Sequence, residues 1–234
     1  MIPTARRNEG ELLLEKHLPY PHAVPNSNRT TSDKPYLIMK RIMDILGSIL
    51  GLLLLSPVFV IVALLIKLED PRGPVFFHQI RVGKNERKFH MFKFRSMVSN
   101  AEDLLDELLH CNEVSGAMFK MKNDPRITRI GRFIRRTSMD ELPQLWNVLR
   151  GDMSMVGPRP PLVREVAEYS SYDKQRLRVT PGCTGLWQVS GRNSVGFKEM
   201  VELDIRYIDR RTISYDIKII FRTVRMLFGT KDAF

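Results

Sequence analysis

Cysteine is nearly absent from this sequence: Cys111 and Cys183 lie far apart, with no C-x-x-C spacing. That argues against a disulfide framework or a cysteine-ligated zinc site, and for free thiols in a reducing compartment. His78 and His90 have no metal-ligand spacing with other histidines, cysteines or acids, so both read as structural. G-x-x-x-x-G-K-[ST] does not occur, which counts against a P-loop ATPase. Asp-x-Asp does not occur either, which counts against metal-dependent glycosyl transfer on a nucleotide-sugar domain. The first residues are polar, with no early apolar run, so no cleavable signal peptide is expected.

Positive charge, by contrast, is plentiful. Among 234 residues, 37 Lys and Arg face 26 Asp and Glu, a net charge of +11. The length suits one substantial domain with appendages. The excess favours an anionic partner, whether nucleic acid, lipid or phosphorylated substrate. The basic residues are spread along the chain, and neither a helix-turn-helix nor a platform of stacking aromatics stands out, so nucleic acid is not the expected partner. Residues 1–35 are polar and proline-rich, with Pro21, Pro25 and Pro35 among Asn, Ser, Thr and Asp. Such a composition buries too little apolar surface to fold alone, and a disordered tail is expected.

Ile45 to Ile66 carries no charge, and its length is roughly what a helix needs to cross the hydrocarbon core. Ser56-Pro57 sits near its middle, where proline removes a backbone donor and kinks a helix. Lys40 and Arg41 precede the run, while Lys67 and Arg72 follow it. Positive charge at both ends suits two ends on the same, cytoplasmic side. The residues leave a full span and a re-entrant hairpin both open. Asp44 is expected at headgroup level beside Lys40 and Arg41.

Beyond the run, Pro71, Gly73 and Pro74 break the helix, and two strands are predicted: VFFHQI and, past a turn at Gly83-Lys84-Asn85, KFHMFKFRSM. Alternation places Lys93 and Arg95 on one face of the second strand, where solvated edge charges are the plain account. An acidic amphipathic helix is expected over 100–111 and a basic one from Ile127 onward. Tyr169 to Arg178 reads as a charged helix, and Val201 to Tyr207 as a helix with Glu202, Asp204 and Arg206 outward. Ile213 to Phe228 is apolar on a broad face with Lys218, Arg222 and Arg225 interleaved. That pattern fits either a helix lying in an anionic membrane surface or an ordinary docking helix.

The most informative stretch is Arg135 to Pro160, RRTSMDELPQLWNVLRGDMSMVGPRP. Its adjacent carboxylates, Asp140 and Glu141, follow clustered arginines. Helix capping accounts for the acids in two ways: a capping box from Ser138 to Glu141, or Asp140 as the cap with Pro143 in the first turn. Either way the acids lie at the positive end of a helix, which keeps Asp140 ionised and favours phosphate nearby. An ionised Asp is a competent nucleophile toward phosphorus, and arginines neutralise the approaching phosphate. Gly151 is expected to end this helix. In Gly157-Pro158-Arg159-Pro160-Pro161 the prolines stiffen the backbone around one arginine, lowering the ordering cost of holding it on a phosphate.

KRIMDI with the midpoint Ser-Pro, MFKFRSM, RRTSMDELPQLWNVLRGDMSMVGPRP and TPGCTGLWQVSGRN together resemble the bacterial sugar transferase family, the monotopic polyprenyl-phosphate phosphoglycosyl transferases. The resemblance runs from about Tyr36 to the C-terminus. It implies a re-entrant membrane helix broken at Ser56-Pro57 and a dyad on Asp140 and Glu141. In that dyad the Asp forms a covalent phosphosugar intermediate and the Glu assists. It further implies phosphate contacts from Lys93, Arg135 and Arg159, and Mg2+ bridging Asp140, Glu141 and diphosphate oxygens. Trp187, Gln188, Arg192 and Asn193 resemble the region that meets the nucleotide or sugar, although Trp187 as plain core fits equally.

The expected fold is therefore α+β and mostly helical. A re-entrant helix over 36–70 precedes a catalytic domain over 71–234, with a short β-hairpin and interfacial amphipathic helices. The expected partners are a UDP-sugar, a polyprenyl (undecaprenyl) phosphate and the bilayer, with a second copy of the chain as a further candidate. The expected setting is the cytoplasmic face of the bacterial inner membrane, at the first membrane step of polysaccharide assembly. The rival reading is a membrane-tethered basic binding or scaffold protein without catalysis, whose function would survive loss of Asp140.

Overall fold

Pro57 shapes the most apolar part of the molecule. In the computed structural model, which describes residues 34–111, 121, 123–191 and 196–229, helix α1 (Lys34–Leu54) and helix α2 (Ser56–Glu69) meet at Leu55. Pro57 has no N–H to offer the carbonyl of Leu53, one helical turn earlier. The Ser56 hydroxyl donates to that same carbonyl at 2.8 Å. The acceptor orphaned by proline is thereby satisfied inside an apolar segment, where leaving it bare is costly. The two helices diverge by 59°. Among the described residues no single helix is long and apolar enough to cross a membrane, but the bent pair passes that test of length and composition together. Leu46, Ile49, Leu50, Leu53, Leu54, Val60, Ile61, Leu64 and Leu68 are all exposed on it. A continuous apolar surface of this extent marks contact with a membrane or another protein.

The base of α1 corrects one expectation. Asp44, expected to be answered by Lys40 and Arg41 at a headgroup level, is buried in the protein and accepts from the Ser154 hydroxyl at 3.0 Å and the Met155 N–H at 2.8 Å. Lys40 turns inward to Asp216 at 2.8 Å and the Val156 carbonyl at 2.9 Å. Arg41 places its two terminal nitrogens on the carbonyls of Val148 and Leu149, at 2.7 and 2.8 Å. These three charges tie the apolar helix to the rest of the domain.

The chain divides into Met1–Pro35 and Tyr36–Phe234; the predicted polar tail, apart from its last two residues, lies outside the described ones. After α2, strands β1 (Phe76–Val82) and β2 (Lys88–Phe94) form the predicted antiparallel hairpin. Helix α3 (Asp103–Leu108) with a 3-10 turn to Cys111 is shorter than the acidic helix expected over 100–111. Helices α4 (Arg129–Arg136) and α5 (Gln144–Arg150) flank the acidic pair. Strand β3 (Ser154–Val156) pairs in parallel with β4 (Gly182–Thr184), with α6 (Val163–Ala167) between them. Three-residue strands are too short for alternation to announce them, and sequence reading missed this sheet.

Helices α7 (Leu186–Ser190), α8 (Phe197–Arg210) and α9 (Ile213–Gly229) complete the domain. The charged helix expected over Tyr169 to Arg178 is instead a 3-10 segment, Asp173–Arg178. Asp204 does not point outward from α8: it is 0% exposed and paired with Arg176. On α9, Ile219 is buried while Ile217, Phe221 and Val224 form an exposed stripe at helical spacing, with Lys218, Arg222 and Arg225 exposed beside it.

Phe94, Ile134, Val62 and Ile66 form one core cluster, with Met139 and Leu142 packed against it. Each such fully buried side chain contributes about 1.5–3 kcal/mol. The cluster pins the hairpin, α2, α4 and the acidic turn to one another.

Candidate active site

Helix α4 delivers the arginines. Thr128 caps it, accepting from the Gly131 N–H at 2.9 Å. At Gly131 the helix passes so close to the Ser96 carbonyl that any Cβ would collide with it. After Arg136 the chain turns through Thr137 and Ser138, and Ser138 adopts the left-handed conformation (φ 56°). That conformation is uncommon for a residue with a Cβ. A single 3-10 turn, Met139–Glu141, follows, and α5 begins only at Gln144. Neither predicted cap is formed: Ser138 makes no side-chain cap bond, and Pro143 occupies the position before α5. The acids sit in an elbow between two helices, with the partly buried Met139 and Leu142 on either side packed against the core. Gly151 (φ 90°) ends α5 as expected, its N–H reaching the carbonyls of Asn147 and Val148.

Asp140 is 7% exposed. Burial pushes its carboxyl above the usual carboxylate range, and neighbouring Glu141 adds to the rise. Lys93 and Arg135 oppose it. The stabilisation of the ionised form expected from a helix end is thus opposed by desolvation, which outweighs the nearby cations. Lys93 lies 2.7 Å from Glu141 Oε1 and 3.7 Å from Asp140 Oδ2. It comes from β2, whose register sets Phe77 opposite Lys93, Gln79 opposite Met91 and Arg81 opposite Phe89. Opposed residues share a face of the hairpin, so Lys93, Gln79 and Arg81 belong to the face that meets the acids. Arg95, expected to accompany Lys93, is instead buried in an ion pair with Asp70.

The turn after β3 is held at four consecutive carbonyls. Pro158 accepts from the Gly182 N–H at 2.9 Å and Arg159 from Arg176 Nη2 at 3.4 Å. Pro160 accepts from Arg81 Nη1 at 3.1 Å and Pro161 from the Val82 N–H at 2.9 Å. The half-buried Arg159 side chain therefore stands on an immobile backbone. Burial first and Arg159 second bring Arg81 down to about 10, while Glu165 and Glu141 act the other way. Arg81 thus feels both Arg159 and Glu141. Sequence reading passed over it; the signal was its place on the Lys93 face, on the paired strand four residues beyond Phe77, the partner of Lys93.

Gln188 and Trp187 lie in α7, directly after β4. Gln188 donates to the Cys183 carbonyl at 3.2 Å, and both residues are partly buried. Arg192 and Asn193 lie outside the described residues. Among the described residues no group of three or more His, Cys, Asp or Glu is placed to hold a metal ion. The two adjacent carboxylates suit a cation that takes its other ligands from water and substrate, as Mg2+ commonly does. A groove of about 400 Å³ lies on the opposite face of the hairpin, lined by His78, His90, Phe92 and Arg150 among others. None of the predicted site residues lines it.

A buried Asp140 and a half-exposed Glu141, both within reach of Lys93, define an ionic site carried on the same domain as the bent apolar helix pair. Residues 35–230 match the family model described as bacterial sugar transferase, and the chain belongs to that family. It is similar to the galactosyl transferase CpsE of Streptococcus agalactiae, 51% identical over 197 residues that cover 83% of this chain and 43% of the relative. The undecaprenyl-phosphate galactose phosphotransferase of Salmonella typhimurium is 44% identical over 200 residues, covering 84% of this chain and 42% of the relative. The exopolysaccharide production protein ExoY of Rhizobium meliloti is 41% identical over 189 residues, covering 79% of this chain and 83% of that protein. The aligned part of the chain spans about two-fifths of the length of the first two relatives.

Proposed function

We propose that this chain transfers a hexose 1-phosphate from a UDP-sugar to undecaprenyl phosphate, releasing UMP, at the cytoplasmic face of a bacterial inner membrane. The observation that carries the reading is the elbow at Asp140: a buried carboxylate beside Glu141, faced by Lys93 and Arg135. An Asp140 oxygen attacks the β-phosphorus of the donor, the bond from that phosphorus to the bridging oxygen breaks, and UMP leaves with the electron pair. The acceptor's phosphate oxygen then attacks the same phosphorus and expels Asp140, forming a polyprenyl diphosphate sugar. Desolvation raises the carboxylate's basicity and so its nucleophilicity, while Lys93 and Arg135 keep the ionised form accessible. Glu141, paired with Lys93 at 2.7 Å, takes the acceptor's proton in this reading. Mg2+, held by Asp140 and Glu141 together with donor oxygens, would neutralise charge on the diphosphate.

The bent pair α1–α2 supports a monotopic, re-entrant membrane attachment, with the exposed stripe of α9 lying in the interface. The names of relatives support galactose or glucose as the hexose. The test is UMP release across a UDP-sugar panel with undecaprenyl phosphate and Mg2+, together with mass analysis of the enzyme trapped without acceptor. A hexose-phosphate adduct on Asp140 is expected. Full turnover by Asp140→Asn would overturn the nucleophile assignment, and absence of UMP release by wild type would favour the non-catalytic scaffold.

A further inference from the structure

Arg81 is 6% exposed, and among the described residues no carboxylate lies within ion-pair distance of it. Its contacts are neutral: the Pro160 carbonyl at 3.1 Å and Gln79 Oε1 at 2.7 Å. Its Nε is buried with no hydrogen-bond partner. A buried cation without an ion-paired anion is expensive to maintain, and here Arg159, the residue immediately before Pro160, carries the same sign. Every other buried basic residue among the described ones is paired with a carboxylate: Lys40 with Asp216, Arg95 with Asp70, Arg126 with Asp124 and Arg176 with Asp204.

We propose that Arg81 is a positioning residue for anion binding at Arg159: it anchors the Pro160 carbonyl from the hairpin and leaves a second, unneutralised guanidinium charge beside Arg159 for a diphosphate to satisfy. The ligand class is the diphosphate of a nucleotide sugar, and this step rests on the donor assignment made above. Two cations sharing one diphosphate neutralise it better than one, and part of the like-charge repulsion in the empty site is released on binding. Arg81 therefore acts on donor affinity more than on the chemical step.

The experiment uses the full chain in nanodiscs, with UDP as the binding probe and UDP-sugar turnover as the second readout. Arg81→Gln is expected to weaken UDP binding and raise the donor KM by roughly tenfold or more, with kcat within about threefold. Arg81→Lys, which keeps the charge, is expected to recover most of the affinity. Ligand-free melting of both variants is expected to stay close to wild type, while the UDP-induced rise in melting temperature shrinks in Arg81→Gln alone. Lowered ligand-free melting with an unchanged UDP-induced rise would overturn the proposal and leave Arg81 a purely structural tie. An unchanged donor KM in Arg81→Gln would overturn it as well. If wild type itself neither binds UDP nor releases UMP, the donor assignment falls. If wild type does both and the Arg81 variants are indistinguishable from it, this inference falls alone.

Discussion

Two of the buried-charge clusters among the described residues are finished differently. At the base of α1, Lys40 meets Asp216 at 2.8 Å, and Asp216 also accepts from Tyr207 at 2.7 Å and from Tyr36 at 3.0 Å. Arg41 and Asp44 are likewise satisfied by backbone and hydroxyl groups. Around Asp140 the charges remain open. Lys93 is shared unequally between two acids, Asp140 is held above the usual carboxylate range, and Arg81 has no acid of its own. A closed cluster fixes geometry, whereas an open one keeps interaction energy in reserve for a ligand. Burial alone therefore does not separate structural from functional charge; completeness of pairing does.

The comparison breaks most visibly at Asp140. Asp140→Asn is expected to lower UMP release by at least about a thousandfold. A carboxyl raised by burial costs stability at any pH above its ordinary value, and the amide removes that cost. The variant should therefore melt no lower than wild type at neutral pH. In the closed cluster the pattern inverts. Lys40→Met strands Asp216, which is 0% exposed, and is expected to cost about 3–5 kcal/mol in denaturant unfolding. The Lys40→Met, Asp216→Asn double variant should recover much of that loss, and turnover per folded molecule should change little.

Lys93→Met tests the link between the two kinds of charge. It removes the cation that lowers Asp140, so the acid limb of kcat should move to higher pH, with turnover at pH 7 down by roughly 10- to 100-fold. A limb that stayed in place would separate Lys93 from Asp140. The smallest effect is expected at Ser56. Ser56→Ala leaves the Leu53 carbonyl to find another donor, at about 0.5–1.5 kcal/mol in a nanodisc melting experiment. Cysteine labelling of the flanks of α1 and α2 should still report both on one side of the bilayer; labelling from opposite sides would sink the re-entrant reading.

Much of the framework was legible in the residues. The uncharged run with Ser56-Pro57 announced a bent apolar helix, because proline's missing donor acts locally. The hairpin, the end of α5 at Gly151 and the stiff turn around Arg159 were also local, set by alternation, a left-handed glycine and fixed proline φ. The acidic pair was visible as a site, but its capping account failed. Its conformation is decided by Met139 and Leu142 packing into a core built from α2, β2 and α4.

What the sequence by itself determined is where the chain is apolar, where it must bend, and which acids and arginines are crowded together. Only the tertiary structure decided how each charge is answered. Asp44 and Asp204 were expected near water and are buried, Arg95 was expected beside Lys93 and pairs with Asp70, and Arg81 was not singled out at all. The reason is physical. A carboxylate's environment depends on groups brought to within a few ångströms by folding, and here those partners lie far away in the chain, Lys40 and Asp216 being 176 positions apart. Periodicity reports which face a residue occupies, but not whether that face meets water, a partner charge or a site left open for substrate.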